Sequence, residues 1–177
     1  MHKNLLRKIP IGFYLGVPLA MLVALLQSTF TARIRIWGVT ADLVLVLAVS
    51  WTLFQGIGEG LLISLVGGMI LDTLSGAPFG VLMISLTVAS EIAGLGEANV
   101  FEKARFLPYI AITIATIIYR GLLLLLLRMT GRPLPPWSTL SRFLLIAVII
   151  NGAFMFVIYR LVGEIVSRIQ PKRAEWE

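Results

Sequence analysis

Residues 71–80 read "LDTLSGAPFG". The chain on either side is oil: "GLLISLVGGMI" before and "VLMISLTVAS" after. An aspartate, a serine, a proline and two glycines interrupt it. Glycine and proline punctuate local structure and mark turns. A proline in the first turn of a helix forfeits no hydrogen bond the helix needs. The stretch therefore predicts a turn between two apolar helices. Asp72 closes one helix, Ser75 and Gly76 make the turn, and Pro78 with Gly80 opens the next with a small face. Read this way, the flanking runs become membrane-crossing helices, and the fold class follows.

Composition agrees. The chain has 177 residues, of which 58% are hydrophobic and only 14% charged. Its mean hydropathy is +0.94. A soluble domain of this length carries more charge and less apolar surface, so lipid is the expected solvent. There is no cysteine, which removes disulfides and thiolate metal sites. One histidine, His2, stands at the start of the sequence. Metal cofactors and histidine acid–base chemistry are not expected. The net charge of +6 is read as Lys and Arg at helix ends facing anionic headgroups, not as a nucleic-acid surface. The N-terminal "MHKNLLRKIP" precedes an apolar run long enough to span, with no obvious small-residue cleavage site, so it is not read as a signal peptide.

A spanning helix needs about 20 apolar residues. Six candidate spans fit, at 11–30, 38–56, 58–71, 78–96, 106–129 and 140–166. They make one all-α integral membrane domain over 1–177, a bundle of six helices. The second, third and fourth are short and close together, and two of them could instead form a re-entrant or broken pair. The segments between them carry the punctuation: "TARIRIWG", "QGIGEG", "LGEANVFEKAR" and "RMTGRPLPPWS". Trp37 and Trp137 suit headgroup-level anchors. The charge asymmetry sets orientation. With six spans, Lys3, Arg7, Lys8, Lys103, Arg105, Arg160, Arg168, Lys172 and Arg173 fall on the side of both termini. Arg33, Arg35, Arg128, Arg132 and Arg142 fall on the other. Both termini are expected in the cytoplasm. Beyond Arg160 the tail mixes apolar and charged residues, as a helix running on along the cytoplasmic surface would.

Ionisable groups inside spans are costly and normally face protein or a wet cavity. The candidates are Asp42, Asp72, Glu91 and Arg120. Arg120 lies fourteen residues after Phe106, a rise of about 21 Å, which puts it in the outer half of the membrane. Asp42 and Asp72 are expected near the outer interface, and Glu91 deeper. By depth, Arg120 should neutralise the two aspartates before it meets Glu91. Two other readings stay open: hydrated interfacial aspartates, and proton transport through the acids. Asn151, midway along the sixth span, is expected to hydrogen-bond to a neighbouring helix.

Small residues recur at a spacing that lets helices approach. They are Gly12 and Gly16, Ala20 and Ala24, and Gly76 and Gly80. No catalytic constellation emerges. There is no Ser/His/Asp set, no metal-ligand cluster and no phosphate-binding glycine loop, so an enzyme would have to rely on Asp72, Glu91 or Glu59 alone.

From Asp42 onward the chain resembles the rod shape-determining protein MreD family. The resemblance is carried by "ADLVLVLAVSWTLFQGIGEGLLISLVGGMILDTLSGAPFGVLMISLTVA". The family pattern has an acid, an apolar helix closing on an aromatic, then a glycine-rich helix ending in Asp and a Leu-Ser-Gly turn. Here those positions are Asp42, Trp51, Gly67, Gly68, Asp72, Ser75, Gly76 and Gly80. Ala41 departs from it, standing where the family often has proline. The similarity covers about fifty residues; the rest agrees in length, span number and charged ends.

The resemblance implies a six-helix fold similar to the S-components of energy-coupling-factor vitamin transporters. It implies a non-enzymatic scaffold of bacterial cell-wall elongation in the inner membrane. The implied partners are MreC, MreB, RodA and a class B penicillin-binding transpeptidase. The alternative is an S-component-like transporter subunit that binds a small molecule. S-components dock their coupling subunit through small residues on the first helix, and Ala20 and Ala24 keep that reading open.

Overall fold

The computed structural model describes residues 12–31, 33, 36–95, 106–133 and 136–169. His2, Lys3, Arg7, Lys8, Arg35, Lys103, Arg105, Lys172 and Arg173 lie outside the described residues, so most of the charge count behind the orientation rests on sequence. The architecture is six helices: α1 (Val17–Leu26), α2 (Leu43–Gln55), α3 (Ile57–Ser75), α4 (Val81–Leu95), α5 (Leu107–Met129) and α6 (Trp137–Ile169). Wider π-type turns at Gly12–Gly16 and Gln27–Thr31 extend α1 at both ends. α3, α5 and α6 are long and apolar enough to cross a membrane; three further apolar helices, over 14–29, 43–55 and 81–95, are shorter.

α2 organises the rest. Its sequence, "LVLVLAVSWTLFQ", is apolar on every side, and a helix of that kind belongs inside a core. All ten residues from Val44 to Leu53 are buried. The other five helices all pack on α2, and their contacts run round it in the order α1, α3, α4, α5, α6. Each of the outer helices presents large apolar side chains outward, among them Leu22, Leu65, Ile84, Ile114 and Ile149. In water this surface would be a heavy liability. In hydrocarbon it is the expected exterior.

The thirteen residues of α2 reach about 20 Å, less than the roughly 30 Å of a bilayer core. The expected span 38–56 is therefore corrected at its start. Trp37 (φ +51°) and Gly38 (φ +84°) form a tight turn. Around it Ile36 and Val39 exchange both backbone hydrogen bonds, at 2.9 and 3.0 Å. From there the chain runs non-helically to Asp42. Val39 and Ala41 are buried against Ala147 and Ile150 of α6. Non-helical backbone at membrane depth is tolerated where protein covers it, and α6 supplies that cover.

At the other end Gly56 alone separates α2 from α3. Its φ of +88° is open to glycine at no steric cost. Its N–H closes α2 on the Thr52 carbonyl (2.8 Å), and its own carbonyl accepts from Gly60 N–H (3.1 Å). Trp51 Nε1 donates to Glu59 Oε2 across this corner (3.2 Å). α3 and α4 lie close because Gly68 has no side chain: a Cβ there would come within 2.5 Å of the Met83 Cα. α3 runs four residues past its expected end at 71, α4 starts three residues later than 78, and α6 starts at Trp137 rather than 140.

Candidate functional site

Two buried acids dominate the interior, and different groups hold them. Asp42 precedes the first turn of α2 and is 6% exposed. The Arg120 guanidinium of α5 reaches it, with Nη2 to Oδ2 at 2.7 Å. The same nitrogen lies 3.4 Å from the Thr40 carbonyl. Asn151 of α6 closes the arrangement from the other side. Its Oδ1 accepts the Asp42 backbone N–H (2.9 Å), and its Nδ2 donates to Asp42 Oδ2 (3.1 Å). Nδ2 also donates to Thr116 Oγ1 on α5 (3.1 Å), and the Thr116 hydroxyl donates to the Ile112 carbonyl (2.7 Å). One amide thus ties α2, α5 and α6 together.

Asp42 does not cap its own helix, because its carboxylate is engaged by Arg120 and Asn151. The N-terminus of α2 is served instead by the turn that extends α1, where Gln27 Oε1 accepts the Val44 N–H (2.8 Å). Side chains from α5, from α6 and from the turn that extends α1 therefore meet at the start of α2. Asn151 lies fourteen residues into α6, about 21 Å from its start. Asp42, bonded to it, is buried at the same level of the bundle.

Asp72 is 3% exposed and holds the opposite kind of partner. It projects from the last turns of α3 onto the N-terminus of α4. Oδ2 accepts from the backbone N–H groups of Gly80 (2.9 Å) and Met83 (3.0 Å), and Oδ1 from Leu82 (2.8 Å). The first turn of a helix leaves N–H groups without partners, and a carboxylate there also meets the positive end of the helix dipole. The expectation that Arg120 neutralises both aspartates is corrected: it pairs with Asp42, while backbone amides satisfy Asp72. Arg132, in the turn after α5, donates to the Gly76 carbonyl (3.0 Å), so the 76–80 and 130–133 turns lie at the same end of the bundle.

The remaining turn residues have local roles. Gly76 ends α3 in the left-handed region at φ +64°, the usual helix-terminating conformation. Ser75 Oγ accepts the Ala77 N–H (3.2 Å). Pro78 is not the first helical residue as expected. Gly80, at φ +95°, keeps the chain out of helix until Val81, and Pro78 contributes its carbonyl to the Val81 N–H (3.2 Å). Gly67 faces α2: a Cβ there would come within 2.5 Å of Val44 Cγ1. Glu91 joins neither cluster, and its buried carboxylate oxygens accept no hydrogen bond.

The sequence reading missed two members, Gln27 and Thr116. Thr116 carried a signal: it stands four residues before Arg120, one turn along the same face. Gln27 carried a weaker one, as the first amide at the end of an apolar run. Ala20 and Ala24 are both fully buried, and Ala20 faces Gly67. Gly16 faces Ile63 and Trp51. The small face of α1 is therefore turned into the bundle.

Among the described residues no group of three or more His, Cys, Asp or Glu is placed to hold a metal. No curated protein and no solved structure matches the chain. The model of the family described as rod shape-determining protein MreD matches residues 10–171. That span takes in both buried acids, the capped turn and all six helices, and the chain belongs to the MreD family of membrane proteins that act in rod-shape determination.

Proposed function

We propose that this chain is a non-enzymatic scaffold of the bacterial elongation machinery. It binds MreC in the inner membrane and, with MreB, RodA and a class B penicillin-binding transpeptidase, helps organise peptidoglycan synthesis. The protein crosses the membrane six times as a single domain with both termini in the cytoplasm. Asp42, Gly67, Gly68, Asp72, Ser75, Gly76, Pro78, Gly80 and Arg120 serve that scaffold by setting helix positions.

The observation that carries this reading is how the polar groups of the family segment are used. Asp42, Arg120, Asp72 and Asn151 are engaged in bonds between helices. Groups committed in this way position a surface. A transporter subunit of the S-component kind is supported less well, because Ala20 and Ala24, the residues that favoured it, are buried inside the bundle.

The test is co-purification. The tagged full-length protein, extracted in mild detergent from its host membranes, is expected to bring MreC with it. Its depletion is expected to convert rods to spheres, and plasmid-borne wild type to restore them. Recovery of a vitamin or a coupling ATPase without any wall-elongation protein would overturn the scaffold.

A further inference from the structure

Between the outer halves of α5 and α6 the bundle carries an open cavity of about 680 Å³. Its walls include Ile117, Gly121 and Leu124 on α5 and Trp137, Leu140 and Leu144 on α6, and Arg120 stands in its floor. Three features separate it from an ordinary lipid-facing crevice.

The first is the guanidinium. Arg120 engages Asp42 and Thr40 through Nη2 alone. A quarter of the side chain remains exposed. An arginine has five N–H donors, and in hydrocarbon an unmet donor is costly. The cavity thus has donor capacity at its floor that apolar contents leave unmet.

The second is depth. Arg120 lies nine residues before the end of α5 at Met129, about 14 Å inside. A lipid seated in the cavity brings methylenes to that level, while its phosphate and ester oxygens stay near the headgroups. A helix side chain delivers an acceptor at any depth. The third is Gly121. A Cβ added there meets nothing within 4 Å. An unpacked glycine in a helix interior costs stability; in a membrane it is also what lets a second backbone approach closely.

We propose that this groove receives one transmembrane helix of a different chain, and that a polar side chain on that helix accepts a hydrogen bond from Arg120. The proposal rests on the scaffold reading in needing a membrane partner, and it names the face that takes it. A second copy of this chain fits poorly, because exposed midsections such as those at Leu65, Ile84, Ile114 and Ile149 are apolar.

The test uses the full-length protein in its host membranes. A benzophenone amino acid replaces Leu144 inside the groove or, as a control, Ile149, an exposed position on α6 outside it. After irradiation, adducts are mapped by mass spectrometry. From position 144 they are expected in a transmembrane segment of another chain, at a site with an acceptor residue within a turn. From position 149, outside the groove, such adducts should be scarce. Gly121→Leu, which fills the groove, should make the 144 adducts similarly scarce without lowering the melting temperature. Gly152→Leu, also into open space, should leave them unchanged. Lipid adducts alone, adducts to a second copy, or equal protein yields from both positions would overturn the assignment. If MreC still co-purifies while position 144 finds only lipid, the groove fails and the scaffold stands; if MreC never co-purifies, the scaffold itself fails.

Discussion

Asp42 and Asp72 are chemically the same residue and are stabilised by different means. Asp42 is balanced by a full charge and an amide; Asp72 by three backbone N–H groups. Their substitutions should therefore behave differently. Asp72→Ala leaves the first turn of α4 uncapped, and the loss of such a cap costs about 2 kcal/mol. Asp72→Asn keeps an acceptor and should lose about half as much. Thermal melts in detergent check both, and an unchanged melt for Asp72→Ala would show that the cap is dispensable. At Asp42 the outcome depends on the partner. Arg120→Ala leaves a buried carboxylate unpaired, which costs about 3 kcal/mol or more. The double variant Asp42→Asn with Arg120→Gln should be less destabilised than the sum of its singles. A double-mutant cycle measures that coupling; additive singles would mean the pair contributes nothing as a pair.

At the scale of elements, the spacing of the helices is set by what their glycines leave out. Gly68 lets α3 settle on the backbone of α4 at Met83. Gly68→Val should push the two apart and cost about 1–3 kcal/mol by overpacking. Because Asp72 bridges the same two helices one turn further on, the variant should also loosen its cap. Hydrogen exchange at Leu82 and Met83 is expected to speed up with the fall in melting temperature. Unaltered protection there would separate packing from capping. The same logic made helix existence legible from sequence and helix ends much less so. Apolar runs announce helices. Their boundaries at residues 38, 71 and 78 were misplaced because each end depends on a long-range contact or a positive φ. α2 begins only where Asn151 and Gln27 meet its backbone. α3 runs on to Gly76. α4 waits for Gly80.

For the whole molecule, the contact from Arg132 to the Gly76 carbonyl places two turns at one end of the bundle. The topology proposed from the Lys/Arg asymmetry puts that end outside. Ser75→Cys and Arg132→Cys should therefore be labelled by an impermeant maleimide added to intact cells, and Lys103→Cys only after permeabilisation. The reverse pattern would invert the topology. The sequence by itself determined that this is a helical membrane protein with a polar turn at residues 71–80, because hydrophobic length and turn chemistry are local properties. Only the tertiary structure decided which acid the arginine meets, that α2 is the buried axis, and that the small face of α1 points inward. Those outcomes depend on the rotation of each helix about its own axis and on where irregular backbone enters the bundle. Both are set by packing among residues far apart in the chain, as Asp42 and Asn151 are.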